Sequence, residues 1–158
     1  MKEVFRNGKC IFTKPNIEDV EDMVEMMNDE NIQSMLSTKK RVITKESEVE
    51  WINQHQDDNT FSVYDFETLE YIGNCGFNEI ENNRGETGIT IKREKQGKHY
   101  AKDIINGLIN YGFDVLNLDE IYSIVFSDNK RSINCMIQLG FKEYNRDSNI
   151  FKRNGVQV

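Results

Sequence analysis

Residues 88–101, GITIKREKQGKHYA, constrain this chain most. Ile89, Thr90 and Ile91 alternate as a strand does, a charged turn follows, and Gln96-Gly97-Lys98 leads at once into a long helical pattern. A strand that passes into a helix through a glycine-bearing basic turn leaves backbone N–H groups unpaired at the helix N-terminus, and these attract phosphate. The junction therefore reads first as an anion site.

The rest of the chain supplies the layers around it. Residues 9–14 (KCIFTK) read as a short opening strand that Pro15-Asn16 breaks. Ile17, Val20, Val24 and Met27 then recur at helical intervals, with Glu18 and Asp19 in the first turn. Seven acids and no Lys or Arg fall between Pro15 and Thr38, either a solvated helix face or a surface for a cationic ligand. Thr44 caps a second helix, with Glu46 in its first turn, Val49, Ile52 and Trp51 facing inward, and an end near Asp57. Residues 60–66 and 70–80 read as an antiparallel hairpin, 81–85 as a turn and 86–92 as the next strand.

After the basic turn, Ala101, Ile104, Ile105, Leu108 and Gly112 share one face of a helix ending near Leu116-Asn117. Residues 119–126 read as a strand. Ser127-Asp128-Asn129 opens a short helix with Ile133, Met136 and Ile137 inward, stopped by Gly140-Phe141. Residues 141–153 read as extended, and Asn154-Gly155 is a hairpin-turn signal with three residues after it. This order predicts a mixed α/β or α+β fold.

Composition excludes several classes. The 158 residues fit a single domain, 1–158, and 30% charged with 37% hydrophobic residues, ten Gly and one Pro is an ordinary globular composition. No run approaches the roughly 20 apolar residues of a membrane span. MKEVFRNGKC has no signal-peptide apolar region, so a cytoplasmic protein is expected. Cys10, Cys75 and Cys135 are too scattered for a disulfide framework or a zinc site and read as small core residues. With only His55 and His99 available, no metal is expected. A net charge of −7 argues against general nucleic-acid binding.

Four signals stand in order within residues 86–142. They are Glu86-Thr87-Gly88 with Ile91, the loop Gln96-Gly97-Lys98-His99-Tyr100-Ala101, the helix with its Leu116-Asn117-Leu118 exit, and Asn129 with Ser132 ahead of Leu139-Gly140-Phe141. Together they resemble the GNAT superfamily of acetyl-CoA-dependent N-acetyltransferases. The first half is similar only through its Trp-bearing helix, to the branch of ribosomal-protein N-terminal acetyltransferases and bacterial polyamine acetyltransferases. The resemblance implies a central, mostly antiparallel sheet of about six or seven strands flanked by about four helices.

It also implies roles. Acetyl-CoA would be the cosubstrate, with Ile89, Thr90 and Ile91 along its pantetheine and thioester. The backbone of Gln96, Gly97, Lys98, His99, Tyr100 and Ala101 would lie around its pyrophosphate, with Asn129 on the CoA arm. His99 stands where glycine is usual, and it can still donate its backbone N–H if its φ is negative, as the first turn of a helix permits. The base would be Glu86, whose plain reading is a strand-edge carboxylate. Relatives' acid is often a tyrosine where this chain has Met136, so Ser132 takes that role, beside its plain reading as a first-turn helix serine. Cys135, with no histidine partner in its helical pattern, is a poor nucleophile.

The acceptor implied is a primary amine: a protein or peptide N-terminus, with a polyamine or other small amine as the alternative. A non-catalytic CoA-binding module acting through a protein partner is the reading from another class. The short C-terminus fits either a truncated final strand or a homodimer partner covering the edge.

Overall fold

The computed structural model describes residues 2–36 and 42–143, and the backbone alone of residues 152–153 and 156–157; for residues 35 and 36 it likewise describes only the backbone. The N-terminal residues form a hairpin, not the single expected strand: β1 (Glu3–Asn7) pairs antiparallel with β2 (Cys10–Thr13). The sequence EVFRN carries a weak strand signal of its own. Phe5 holds it, with its ring stacked 4.2 Å from Phe12 and 4.8 Å from Tyr111.

Asn16 ends this hairpin by accepting the Glu18 N–H at 2.9 Å, which opens a 3₁₀ turn at Ile17–Asp19 and then α1 (Val20–Asn28). The tighter 3₁₀ turn changes the phase of the helix. Val20, Met23 and Met26 are therefore buried, while Ile17, expected inward, is 53% exposed. Asp29 breaks the helix and accepts the Asn31 N–H at 2.8 Å, starting α2 (Glu30–Leu36), which the sequence reading did not foresee. α3 (Lys45–Gln54) begins at Thr44 as expected, with Ser47 completing a capping box.

β3 (Thr60–Asp65) and β4 (Tyr71–Glu81) form the predicted hairpin. β4 returns into β5 (Arg84–Ile91) through Asn82 and Asn83, both at positive φ, a tighter turn than residues 81–85 suggested. α4 (Tyr100–Asp114) then crosses over, so that β6 (Glu120–Tyr122) lies parallel to β5. β6 is three residues long against an expected eight, because it leaves β5 after Tyr122. α5 (Lys130–Gln138) starts at Asn129 and stops at Gly140 (φ +96). Of its expected inward residues, Met136 is buried, Ile133 half-buried and Ile137 61% exposed. β7 (Lys152–Arg153) pairs with β8 (Val156–Gln157), while the turn between them and residues 144–151 lie outside the described residues.

The six main strands run in the order β1-β2-β3-β4-β5-β6, antiparallel except for the last pair. One face carries α4 over Phe12, Phe61, Val63, Ile72, Cys75 and Phe77, and the other carries α1 and α3 over Ile11, Tyr64 and Tyr71. This is the expected α+β architecture, with α2 and the β7–β8 ribbon as additions. Leu108 lies in the first core at 0% exposure. Leu108→Ala should lower the unfolding free energy by about 3 kcal/mol, as measured by urea denaturation, since it deletes core contacts and leaves a cavity.

Candidate functional site

β5 and β6 touch along only three residue pairs, Arg84 with Glu120, Gly85 with Ile121 and Glu86 with Tyr122. From Thr87 onward β5 keeps β4 on one side, while the described strand β6 no longer follows it on the other. Among the described residues no strand pairs with its N–H and C=O groups on that edge, a place suited to an extended ligand. Ile89 and Ile91 turn their side chains to the core beneath α4, and Thr90 faces the opposite side of the sheet, where it lines a cavity.

That cavity, about 350 Å³, is bounded by Trp51, His55, Asp57, Asn74, Glu79 and Gly88 among others. Trp51 was expected as a core anchor. It is half-buried, packs on the α1–α3 core and stacks its other side 4.2 Å from the His55 ring, forming one wall. A β-bulge places Asn78 between Phe77 and Glu79, opposite Thr87 and Glu86. The Asn78 amide stands near the Glu86 carboxylate and favours its charged form. Burial raises the Glu86 pKa above the ordinary glutamate value, the charge of Glu79 adds to the rise, and Asn78 offsets part of it.

At the far end of β5, Gln96 Nε2 donates to the Ile91 carbonyl at 3.0 Å, folding the loop back on the strand. Gly97 is at φ +76 and His99 at φ +69. The negative φ considered for His99 is thus corrected: it is the N-cap of α4 in the left-handed region, which explains why glycine suits this place. Its side chain makes no capping bond. The first-turn N–H groups of α4, Tyr100 and Ala101 among them, stay available to an anion. The ring of Tyr100 is committed elsewhere. It is buried, and its hydroxyl donates to Asp65, holding that carboxylate down at about 2 and the phenol up at about 12.

Arg131 reaches this loop from the first turn of α5. A Cβ placed on Gly97 would lie 2.8 Å from an Arg131 guanidinium nitrogen, so the glycine makes room for the cation. Sequence reasoning passed over Arg131, although it sits between Asn129 and Ser132. Asn129 accepts the Ser132 N–H at 3.3 Å, and Ser132 is half-buried in the same turn. Lys98 and Lys102 are exposed at the start of α4.

The acidic segment is partly consumed within the protein. Asp22 pairs with Lys92 at 3.0 Å and Asp29 with Arg93 at 3.9 Å, tying α1 and its C-terminal cap to the end of β5, and Tyr64 donates to buried Asp19. Cys10 and Cys75 are core residues, as expected, with thiols pushed up by burial, Cys10 to about 12; Cys135 is half-buried and also raised. Among the described residues, no group of His, Cys, Asp and Glu could hold a metal, and no helix is long and apolar enough to cross a membrane.

Known proteins share both sequence and shape with this chain. The family described as acetyltransferase (GNAT) domain matches residues 9–142. The uncharacterized N-acetyltransferase p20 of Bacillus licheniformis is 32% identical over 130 residues, which cover 81% of this chain and 61% of that relative, so the chain spans less than two thirds of its length. The crystal structure of spermidine N-acetyltransferase from Vibrio cholerae in complex with CoA and spermine superposes with a TM-score of 0.85 at 28% identity, covering 96% of this chain and 92% of the other. A putative ribosomal-protein-serine acetyltransferase from Vibrio cholerae shares the fold at a TM-score of 0.75 and 17% identity, over 99% and 94% of the two chains.

The left-handed His99 carries a cost that glycine would not. His99→Gly should raise the unfolding free energy by about 0.5–1 kcal/mol in urea, the relief of the left-handed strain exceeding glycine's greater chain entropy. A loss of stability would show that the histidine ring holds the loop.

Proposed function

This chain belongs to the GNAT acetyltransferase family, and on that premise we propose that it transfers acetyl from acetyl-CoA to a primary amine by direct attack. The observation that carries the reading is the strand edge opened where β6 leaves β5, continuous with an uncapped, doubly left-handed loop at the start of α4. An extended arm fits the edge of Ile89, Thr90 and Ile91, and a pyrophosphate fits the loop. Gly97, Lys98, His99, Tyr100 and Ala101 would supply backbone N–H groups there, while Gln96, whose own N–H donates to the Arg93 carbonyl, shapes the loop; Arg131, Lys98 and Lys102 would add charge, with Asn129 toward the arm.

The amine needs to be neutral when it attacks. Glu86 is the base in this reading: its raised pKa brings it closer to an ammonium proton's, with the bulged Asn78 nearby offsetting part of the rise. The amine nitrogen forms a bond to the thioester carbonyl carbon while the backbone N–H groups of β5 polarise its oxygen. The carbon–sulfur bond then breaks, and the departing thiolate takes a proton from Ser132 or a water it holds. Met136, buried in α5, has no proton to give.

The acceptor would enter from the cavity that Trp51, Asp57, Asn74 and Glu79 border. The carboxylates of Asp57 and Glu79 suit a cationic amine. A peptide N-terminus is the reading that Ser132 supports. A polyamine is favoured by the acidic lining and by the 28% identical spermidine N-acetyltransferase of Vibrio cholerae, whose structure holds CoA and spermine. A CoA-binding module without turnover is the remaining reading.

Acetyl-CoA should raise the melting temperature, because a ligand bound only by the native state stabilises it. No shift at millimolar concentration would refute the cofactor assignment. Thiol release should then appear with a peptide, a polyamine or an aminoglycoside in a panel, and silence across the panel would favour the module. Glu86→Gln should lower kcat/KM about 100-fold at neutral pH. The deficit should shrink as pH rises and the amine deprotonates unaided. The wild-type enzyme should lose activity on the acid side around an apparent pKa above the ordinary glutamate value, since a raised carboxyl protonates earlier as pH falls. An unchanged profile in the variant would remove Glu86 as the base.

A further inference from the structure

The β1–β2 turn, at the opposite edge of the sheet from the β5–β6 opening, is fastened to the loop that precedes α4. Gly8 (φ +54) packs so closely that a Cβ there would lie 2.4 Å from the Asp103 carboxyl carbon. The Lys9 N–H donates to Asp103 Oδ2 at 3.0 Å, and Asn7 Nδ2 donates to the Asp103 carbonyl at 2.8 Å. These bonds hold an acidic side chain of early α4 against the hairpin. From the same turn Lys9 Nζ donates to the Lys98 carbonyl at 2.6 Å and stands 4.6 Å from the centre of the Tyr100 ring.

The Lys98–His99 peptide is trans, so its C=O and N–H point in opposite directions. Fixing the carbonyl toward the hairpin turns the His99 N–H away from it. A left-handed non-glycine residue persists only where its surroundings over-determine it, and Lys9 supplies such a constraint. We propose that Lys9 is a positioning residue for the diphosphate of the bound cofactor: through the Lys98 carbonyl it aims the His99 N–H at the anion. This inference rests on the acetyl-CoA reading above.

Calorimetric titration with CoA, and with acetyl-pantetheine as a thioester lacking the diphosphate, tests it on wild type, Lys9→Met and Lys9→Arg. Lys9→Met should raise the Kd for CoA about tenfold, because the Lys98–His99 peptide is then no longer held in place and has to be ordered on binding. The affinity for acetyl-pantetheine should not change, and Lys9→Arg should restore most of the CoA affinity. The side chain is exposed, so the unliganded melting temperature of Lys9→Met serves as the check on folding. An unchanged CoA affinity in Lys9→Met overturns the proposal, as does an equal loss toward both ligands. A wild type that binds no CoA overturns the acetyl-CoA reading itself, and the role of Lys9 with it.

Discussion

Ile104, Leu108 and Tyr111 bury one stripe of α4 against the sheet, and that contact decides where the helix begins. A helix laid across the face between two parallel strands must start beyond the end of the first of them. Here β6 has already left β5 after Glu86, so the stretch from Thr87 to Ile91 runs without it up to the loop before α4. The dipole of α4, its free first-turn N–H groups and the open edge of β5 are thus parts of one consequence of packing. The chain forms this junction although its loop carries left-handed His99 where glycine would sit without strain.

Charge is arranged around the junction in two layers. Near the loop stand Arg131, Lys98 and Lys102, and behind it Lys9 on the Lys98 carbonyl. On the other face of the sheet the cavity is bordered by Asp57 and Glu79, with Glu86 near Asn78. A cationic acceptor and an anionic donor would meet from opposite sides of β5. The ion pairs of Lys92 with Asp22 and of Arg93 with Asp29 brace α1 against the end of the same strand, so the acids of the N-terminal helices are partly structural.

Much of the fold was legible from local signals. Thr44 announced α3, alternation announced β3 and β4, and the apolar stripe announced α4, because each signal acts within a few residues of itself. The misses share a cause. β1 is held by ring stacking of Phe5 with Phe12 and Tyr111, the latter more than a hundred residues away. Periodicity finds Val20 and Met27 on the inner side of α1 but sets Ile17 there and misses Met23 and Met26, because a 3₁₀ turn precedes the helix. Pattern alone makes β6 too long because apolar residues 124–126 look like a strand whether or not a neighbour pairs with them. The site divides in the same way. Glu86, Asn129 and the loop 96–101 stood out as a pattern, whereas Asn78, Arg131 and the cavity face of Trp51 have no local signature.

By itself the sequence determined the order of elements and the strand-to-helix junction, since turn chemistry and periodicity are properties of neighbouring residues. Tertiary structure alone decided the backbone of His99, the bulge that sets Asn78 near Glu86 and the reach of Lys9 and Arg131 to the loop. Each of these depends on groups far apart in the chain that meet only when the sheet and α4 pack together.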